Sequence, residues 1–274
     1  MGFLLLEDPI LSSKDVPHAG VAIWQRDKDW HRIRVDYNGI SGTVVPGKAG
    51  VNRRVIIVGD TGKYTEMSGG KAIEGVIKED DALASVNFVN GSVIAVGILG
   101  GVYRMRDSTS WEELTDKNIE ENLSSVCAFP SGGFVVCGWE GVIALYKSGA
   151  VKRIQSGTNV ILTSIICDEK GEVFACGQKG TIICGSIDAL NPVGQEGIND
   201  DFWSIAKFKG EIYVASTTAL YKLVDDEKLE IVEIYGVVIP TTFYHLDTYE
   251  DSLMLSVGPK DAVLFDGKKW TRIL

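Results

Sequence analysis

Phe134-Val135-Val136-Cys137-Gly138-Trp139-Glu140-Gly141 is an alternating, β-branched run that stops at a glycine, spends two residues on a turn, and reaches a second glycine before the next apolar run begins at Val142. The same figure recurs as Val55-Ile56-Ile57-Val58-Gly59-Asp60-Thr61-Gly62, Val93-Ile94-Ala95-Val96-Gly97-Ile98-Leu99-Gly100 and Val173-Phe174-Ala175-Cys176-Gly177-Gln178-Lys179-Gly180. Two degenerate copies follow. Ser216-Thr217-Thr218-Ala219 has small residues at both glycine places, and Gly258-Pro259-Lys260-Asp261 keeps only the first. From Gly59 through Gly97, Gly138, Gly177, Ser216 and Gly258 the steps are 38, 41, 39, 39 and 42 residues. A period of about 40 residues marks a repeat architecture.

Each repeat opens on a strand such as Ser125-Val126-Cys127-Ala128 or Ser164-Ile165-Ile166-Cys167. It then turns at Asn90-Gly91, Gly132-Gly133 or Lys170-Gly171, runs through the glycine figure, and closes with a more polar strand. Four short antiparallel strands per repeat, with no sustained helical periodicity, describe the blade of a β-propeller. Six copies start near Gly42, Ser85, Ser125, Ser164, Ser204 and Phe243. Residues 1–37 remain for a seventh, built from 3–7, 21–26 and 31–35, and this first blade reads one strand short. The expectation is one all-β domain over residues 1–274, a β-propeller of seven four-stranded blades. Six blades plus an N-terminal extension is the alternative.

Composition narrows the function classes. The chain has 274 residues, 45% hydrophobic and 23% charged, which gives it enough apolar material for a sizeable core. The longest apolar stretches, such as Phe3-Leu4-Leu5-Leu6 and Val142-Ile143-Ala144-Leu145, fall far short of the roughly 20 residues a spanning helix needs. Met1-Gly2-Phe3 has no basic leader and Glu7-Asp8-Pro9 interrupts the first apolar run, so the expected location is the cytoplasm, with no membrane partner. A net charge of −10 and a pI near 4.9 argue against direct nucleic-acid binding, and a basic protein is the better partner. The five cysteines are odd in number and contain no Cys-x-x-Cys pair, so neither a disulfide framework nor a zinc site is expected.

Arg26-Asp27-Lys28-Asp29-Trp30, Arg106-Asp107-Ser108-Thr109-Ser110-Trp111 and Phe265-Asp266-Gly267-Lys268-Lys269-Trp270 each set Asp in a turn and Trp at the head of the next strand. The pattern resembles the Asp-box hairpins of BNR, sialidase-like and Ycf48-like propellers, without their Ser/Thr-x-Asp-x-Gly-x-x-Trp spacing. That resemblance implies fold and not activity: Asp caps its own turn and Trp wedges between blades. A Ycf48-like relation would also fit an assembly scaffold.

Candidate chemistry is sparse. Cys137 and Cys176 occupy places where other repeats have Val58, Val96, Ala215 and Val257, which are small buried sites, and Cys127 and Cys167 match each other on first strands. His18, His31 and His245 share no metal-like spacing, and His245 with Asp247 is the only pair to nominate for a propeller enzyme of glycosidase, lyase or lactonase type. A sialidase would need an arginine cluster, and the first strands carry no Arg. The Gly-x-x-Gly figure joins two strands and does not open a helix, so it is no phosphate loop. No catalytic residue, metal ligand or cofactor is assigned.

Propeller topology sorts the loops by side. Loops between second and third strands, together with the connections between blades, fall on one side and carry Asp36, Asp60, Glu79, Asp80, Asp81, Asp116, Glu120, Glu121, Glu140, Glu196, Asp200, Asp201 and Asp261 against Lys78, Lys117, Lys179 and Lys260. The other side is nearly balanced. Tyr37, Ile98, Leu99, Trp139, Phe202 and Tyr235 add large apolar groups to the acidic side. Acid-rich loops also serve solubility alone. The sharper expectation is a partner-binding surface of Asp60, Glu79, Asp80, Asp81, Glu120, Glu121, Trp139, Glu140, Asp200, Asp201 and Phe202 on a protein that is monomeric when free. It would hold a basic bacterial toxin such as a nuclease, delivered by a contact-dependent or type VI-like system, and act as the immunity protein that covers its groove.

Overall fold

The computed structural model describes residues 2–24, 30–48, 52–193, 197–224 and 228–273. The chain is an all-β seven-bladed propeller. Four-stranded antiparallel sheets occupy residues 39–76, 83–113, 123–154, 162–193, 204–231 and 245–272, each in sequential strand order, and residues 2–35 form a three-stranded sheet. The repeat phase read from the glycines therefore gives the correct blade count. Two compact units divide the chain, Met1–Val126 and Cys127–Leu274.

In the first unit, the short first blade lacks the equivalent of the opening strand. Its last strand, His31–Val35, passes through 36–38 straight into Gly39–Val45, the opening strand of the next sheet, as the last strands of complete blades do. Gly2–Leu6 is then the second strand, and the 7–18 segment, with the short helix Pro9–Ser12, replaces the tight second-to-third loop. Asp8 caps that helix, accepting from the Ile10 and Leu11 N–H groups, while its own N–H donates to Nε2 of buried His18. His18 Nδ1 lies 2.7 Å from the Val16 carbonyl, so the ring is fully used inside the loop.

Adjacent opening strands do not form a sheet with one another, and their N–H groups need other acceptors when buried. A recurring serine supplies them. Ser41 Oγ accepts from Val86 N–H at 3.1 Å in the first unit. In the second, Ser164 Oγ accepts from Ile205 N–H at 3.3 Å and Ser204 Oγ from Leu246 N–H at 3.0 Å. Apolar clusters fill the spaces between sheets, for example Phe174, Cys176, Phe202, Ile205 and Tyr221.

The two glycines of the figure answer two close approaches of backbone to backbone. A Cβ on Gly97 would lie 2.3 Å from the Ala82 carbonyl oxygen, and one on Gly177 2.2 Å from that of Ile161. The second glycine is tighter. A Cβ on Gly100 would lie 1.8 Å from the Ile119 oxygen, at a φ of +68 that itself favours glycine. Gly100→Ala is expected to cost about 3 kcal/mol or more, because backbone must move as well as strain. Gly91→Ala, at φ +84 with nothing within 4 Å of the added carbon, should cost only the left-handed penalty of about 1–2 kcal/mol. Urea unfolding of the two variants checks this, and equal losses would refute the close-approach account.

The Asp-box-like hairpins behave as their chemistry requires. Asp107 Oδ1 accepts from Thr109 N–H at 2.8 Å and Oδ2 from Ser110 Oγ at 2.6 Å, and the Ser110 hydroxyl leads the hydrogen bonds that hold its pKa down to about 2. Trp111 packs edge-on against Tyr64 of the neighbouring sheet, with ring centroids 5.4 Å apart. Asp266 accepts from the Lys268 and Lys269 N–H groups, and Trp270 stacks on Phe265. Residues 26–29 of the third hairpin lie outside the described residues.

Candidate functional site

Antiparallel order puts the second-to-third loops and the sheet-to-sheet connections at the same end of every sheet, and hydrogen bonds tie them there. Gly100 N–H donates to the Glu121 carbonyl and Ile98 N–H to that of Ala82 in the first unit. Gly180 N–H donates to the Asp200 carbonyl and Gln178 N–H to that of Ile161 in the second. Side chains on these loops therefore project from a stiff base. Leu99, Glu140 and Lys179, the third residues of successive figures, share a left-handed backbone with φ of 51, 52 and 56.

In the first unit the expected acids differ in what they can offer. Glu79, Asp80 and Glu120 are exposed. Asp81 is half-buried, accepts from the Tyr103 hydroxyl and pairs with Lys78 at 3.6 Å; burial and this carboxylate both raise the Tyr103 pKa. Asp60 accepts from Asn38 Nδ2 at 2.7 Å through one oxygen, and its other oxygen is buried without a hydrogen-bond partner. Glu121 turns its carboxylate back to the Glu120 N–H.

The second unit repeats the contrast. Trp139 and Glu140 are exposed, as is Asp201, which accepts from Lys179 N–H at 3.0 Å. Asp200 is half-buried and accepts from the Tyr221 hydroxyl at 2.8 Å; burial, with this carboxylate beside it, pushes the Tyr221 pKa up to about 12. Phe202 corrects the sequence reading. It is 0% exposed, its ring edge-on to Tyr221 inside the cluster between the fifth and sixth sheets, so it presents no surface to a partner. Tyr37 is likewise buried, its hydroxyl donating to Thr65 Oγ1 and its pKa pushed up to about 12 by burial. Glu196 lies outside the described residues, as does the 225–227 turn assigned to the opposite side.

Of the apolar groups expected at the loop end, Leu99, Trp139 and Tyr235 are exposed, and further residues join them. In the first unit Ile10, Val16, Val76 and Leu99 are exposed there. In the second unit Trp139, Ile231, Tyr235, Val237, Ile239 and Tyr244 are exposed at that end, whereas Tyr249 closes the strand His245–Tyr249 at the opposite one. A sequence signal separates the buried from the exposed. Leu83, Leu123 and Leu162 begin an opening strand, Phe202 and Phe243 lie two residues before one, and all five are buried. Aligning Leu-x-Ser at 83, 123 and 162 with Phe-x-Ser at 202 identifies Phe202 as a core position.

Of the five cysteines, Cys127, Cys137 and Cys176 are buried and Cys167 and Cys184 half-buried. Cys137 and Cys176 are fully buried, and burial raises both thiols, Cys176 to about 12. Cys127 Sγ lies 3.2 Å from Cys167 Sγ, joining the opening strands of the fourth and fifth sheets as free thiols. Surrounding protein lowers the His245 pKa while Asp247 opposes it. Among the described residues no three His, Cys, Asp or Glu side chains form a metal-binding group, and no helix is long and apolar enough to cross a membrane.

Sheet order and loop arrangement define the class, the small seven-bladed propellers. Virginiamycin B lyase from Staphylococcus aureus matches with a TM-score of 0.72 at 11% identity, over 94% of this chain and 96% of that one. Ycf48 bound to D1 peptide matches at 0.65 with 16% identity, over 89% and 84%, and the WD40 propeller domain of Doa1 at 0.68 with 13%, over 91% and 86%. These likenesses concern the fold alone. No family model matches the chain. Sequence gives the narrower relation: the chain is 33% identical over 248 residues to immune protein Tsi7 of Pseudomonas aeruginosa, covering 85% of this chain and 79% of that protein. It belongs to the Tsi7 family.

Proposed function

We propose that this chain is a cytoplasmic, non-enzymatic immunity protein that binds a basic toxin, such as a nuclease, and covers its active site. The observation that carries the reading is the 33% identity to an immune protein across 85% of the chain. The net charge of −10 and the exposed acids on the loops support a basic partner. A nuclease groove holds Lys and Arg to grip phosphates, and carboxylates on short, tied loops imitate that polyanion. Glu79, Asp80 and Glu120 in the first unit, and Glu140 and Asp201 in the second, are the acids open to that role. Asp60, Asp81 and Asp200 shape the loops, since each is engaged by Asn38, Tyr103 or Tyr221. Trp139 supplies an aromatic contact.

Expression of a cognate toxin should be tolerated only when the chain is present, and failure to protect against any toxin encoded beside it would sink the proposal. Reversing charge at Glu79, Asp80 and Asp201 to Lys is expected to slow association about tenfold and to flatten its salt dependence, because exposed charges act mainly on encounter. Unchanged rates at low salt would remove the acidic surface from the mechanism while leaving immunity intact.

A further inference from the structure

The connection between the sixth and seventh sheets, residues 232–244, is longer than its counterparts at 36–38, 77–82, 114–122, 155–161 and 194–203. It alternates like a strand without pairing as one. Val232, Ile234 and Val238 are half-buried and Pro240 is buried, whereas Glu233, Tyr235, Val237 and Ile239 point to water. Val232 and Ile234 pack on the cluster of Phe208, Leu220, Phe243 and Met254. Beyond Glu233 the outward row is apolar as well: Tyr235 is 79% and Val237 104% exposed.

Both ends of the segment are held. Val232 N–H donates to the Leu220 carbonyl at 2.8 Å, and Phe243 N–H to that of Thr217 at 2.9 Å. Asp261, 4% exposed at its side chain, accepts from the N–H and hydroxyl groups of both Thr241 and Thr242, while Arg272 pairs with its other oxygen. Ordered ends with an exposed apolar row make the segment a pre-organised arm, which lowers the entropy cost of binding. Tyr244, at its foot, stacks on Trp203 with centroids 5.0 Å apart, which makes the arm continuous with the Asp200-Asp201 connection.

We infer that Tyr235, Val237 and Ile239 insert into an apolar hollow bordered by Lys and Arg on the toxin. This rests on the immunity reading and names the element that holds the complex. The exposed acids beside the arm, Asp201 and Glu233, whose carboxylate accepts from the Tyr235 hydroxyl, choose the occupant: a second copy would bring the same negative border, and an anionic lipid surface would be repelled. Central aromatic and aliphatic anchors set dissociation, whereas the acids set approach.

The test uses the full chain and the toxin it protects against, purified in a catalytically inactive form. The triple variant Tyr235→Ser, Val237→Ser, Ile239→Ser is expected to weaken binding about 100-fold, mostly through faster dissociation. Its thermal midpoint should match wild type, since the three side chains are exposed. Binding within about threefold of wild type, against an experimental scatter of that order, overturns the arm while immunity stands. Wild-type protein that fails to bind overturns the immunity reading and the arm together. Sedimentation of the wild type as a dimer that the variant dissolves, or arm-dependent binding to phosphatidylglycerol vesicles, would assign the arm to a different occupant and overturn the inference.

Discussion

Replacing Phe202 with alanine is expected to destabilise the protein by about 3–5 kcal/mol while leaving the folded molecule's affinity for its toxin within a small factor of wild type. The ring is fully buried, touches Tyr221 edge-on at 5.3 Å between centroids, and shares its cluster with Phe174, Cys176, Ile205 and Ile212. Its backbone is also fixed, N–H to the Gly177 carbonyl at 3.1 Å and carbonyl to Thr163 Oγ1 at 2.7 Å. The surroundings are therefore poorly able to collapse into the space, and the cavity term adds to the lost transfer energy. Trp139→Ala is the matched control: at 48% exposure its removal should leave the urea midpoint nearly unchanged and act on binding instead. Urea unfolding with unchanged m-value, followed by affinity measurement on each variant well below its midpoint, separates the two. A stable Phe202→Ala protein that fails to bind would return this residue to the surface role that its acidic neighbours imply in the sequence.

That contrast explains how far the sequence could be read. Blade count and phase were legible because a geometric demand repeats: wherever a sheet-to-sheet connection crosses the second-to-third loop, a Cβ would strike backbone, as at Gly97, Gly100 and Gly177. Degenerate copies were legible as departures, and their replacements were not. Ser216 stands in for glycine by accepting from Ala219 N–H at 3.1 Å and closing the turn itself. Asp261 stands at the second glycine place and substitutes a carboxylate grip for backbone approach. The missing strand of the first blade was visible as a deficit of residues. Which strand it was depended on the 36–38 connection, whose role a three-residue segment does not advertise.

Surface chemistry was less legible for a different reason. Loop sidedness follows from strand order, so the acids could be sorted without coordinates. Whether a loop aromatic turns inward depends on its distance from the opening strand, and composition treats Tyr37, Phe202 and Tyr235 alike. Only the last is exposed. Val237 and Ile239 were missed because a short apolar stretch near Pro240 reads as buried strand material, and only the lack of a pairing partner reveals it as an arm.

Asp261→Ala should cost about 2–4 kcal/mol near neutral pH, because a buried carboxylate leaves behind the N–H and hydroxyl donors of Thr241 and Thr242 and the Arg272 guanidinium. The loss is moderated by Arg272, whose side chain is 44% exposed and can be rehydrated. Burial alone would raise the Asp261 pKa, and the Thr241 N–H, Arg272 and the other donors overcome it, holding the carboxyl well below the ordinary range. A depressed folded-state pKa means the contribution is complete above the unfolded value of about 3.9 and fades as pH falls toward the folded one. The stability gap between wild type and Asp261→Ala should accordingly be flat above about pH 5 and shrink below about pH 4. A gap that widens on acidification would contradict the assignment. The same variant should release the C-terminal foot of the 232–244 arm, seen as faster amide exchange at Thr241 and Thr242, and should weaken toxin binding without touching any contact residue. Stability, order and affinity falling together at Asp261, while Tyr235, Val237 and Ile239 move affinity alone, would distinguish the holder of the arm from the arm itself.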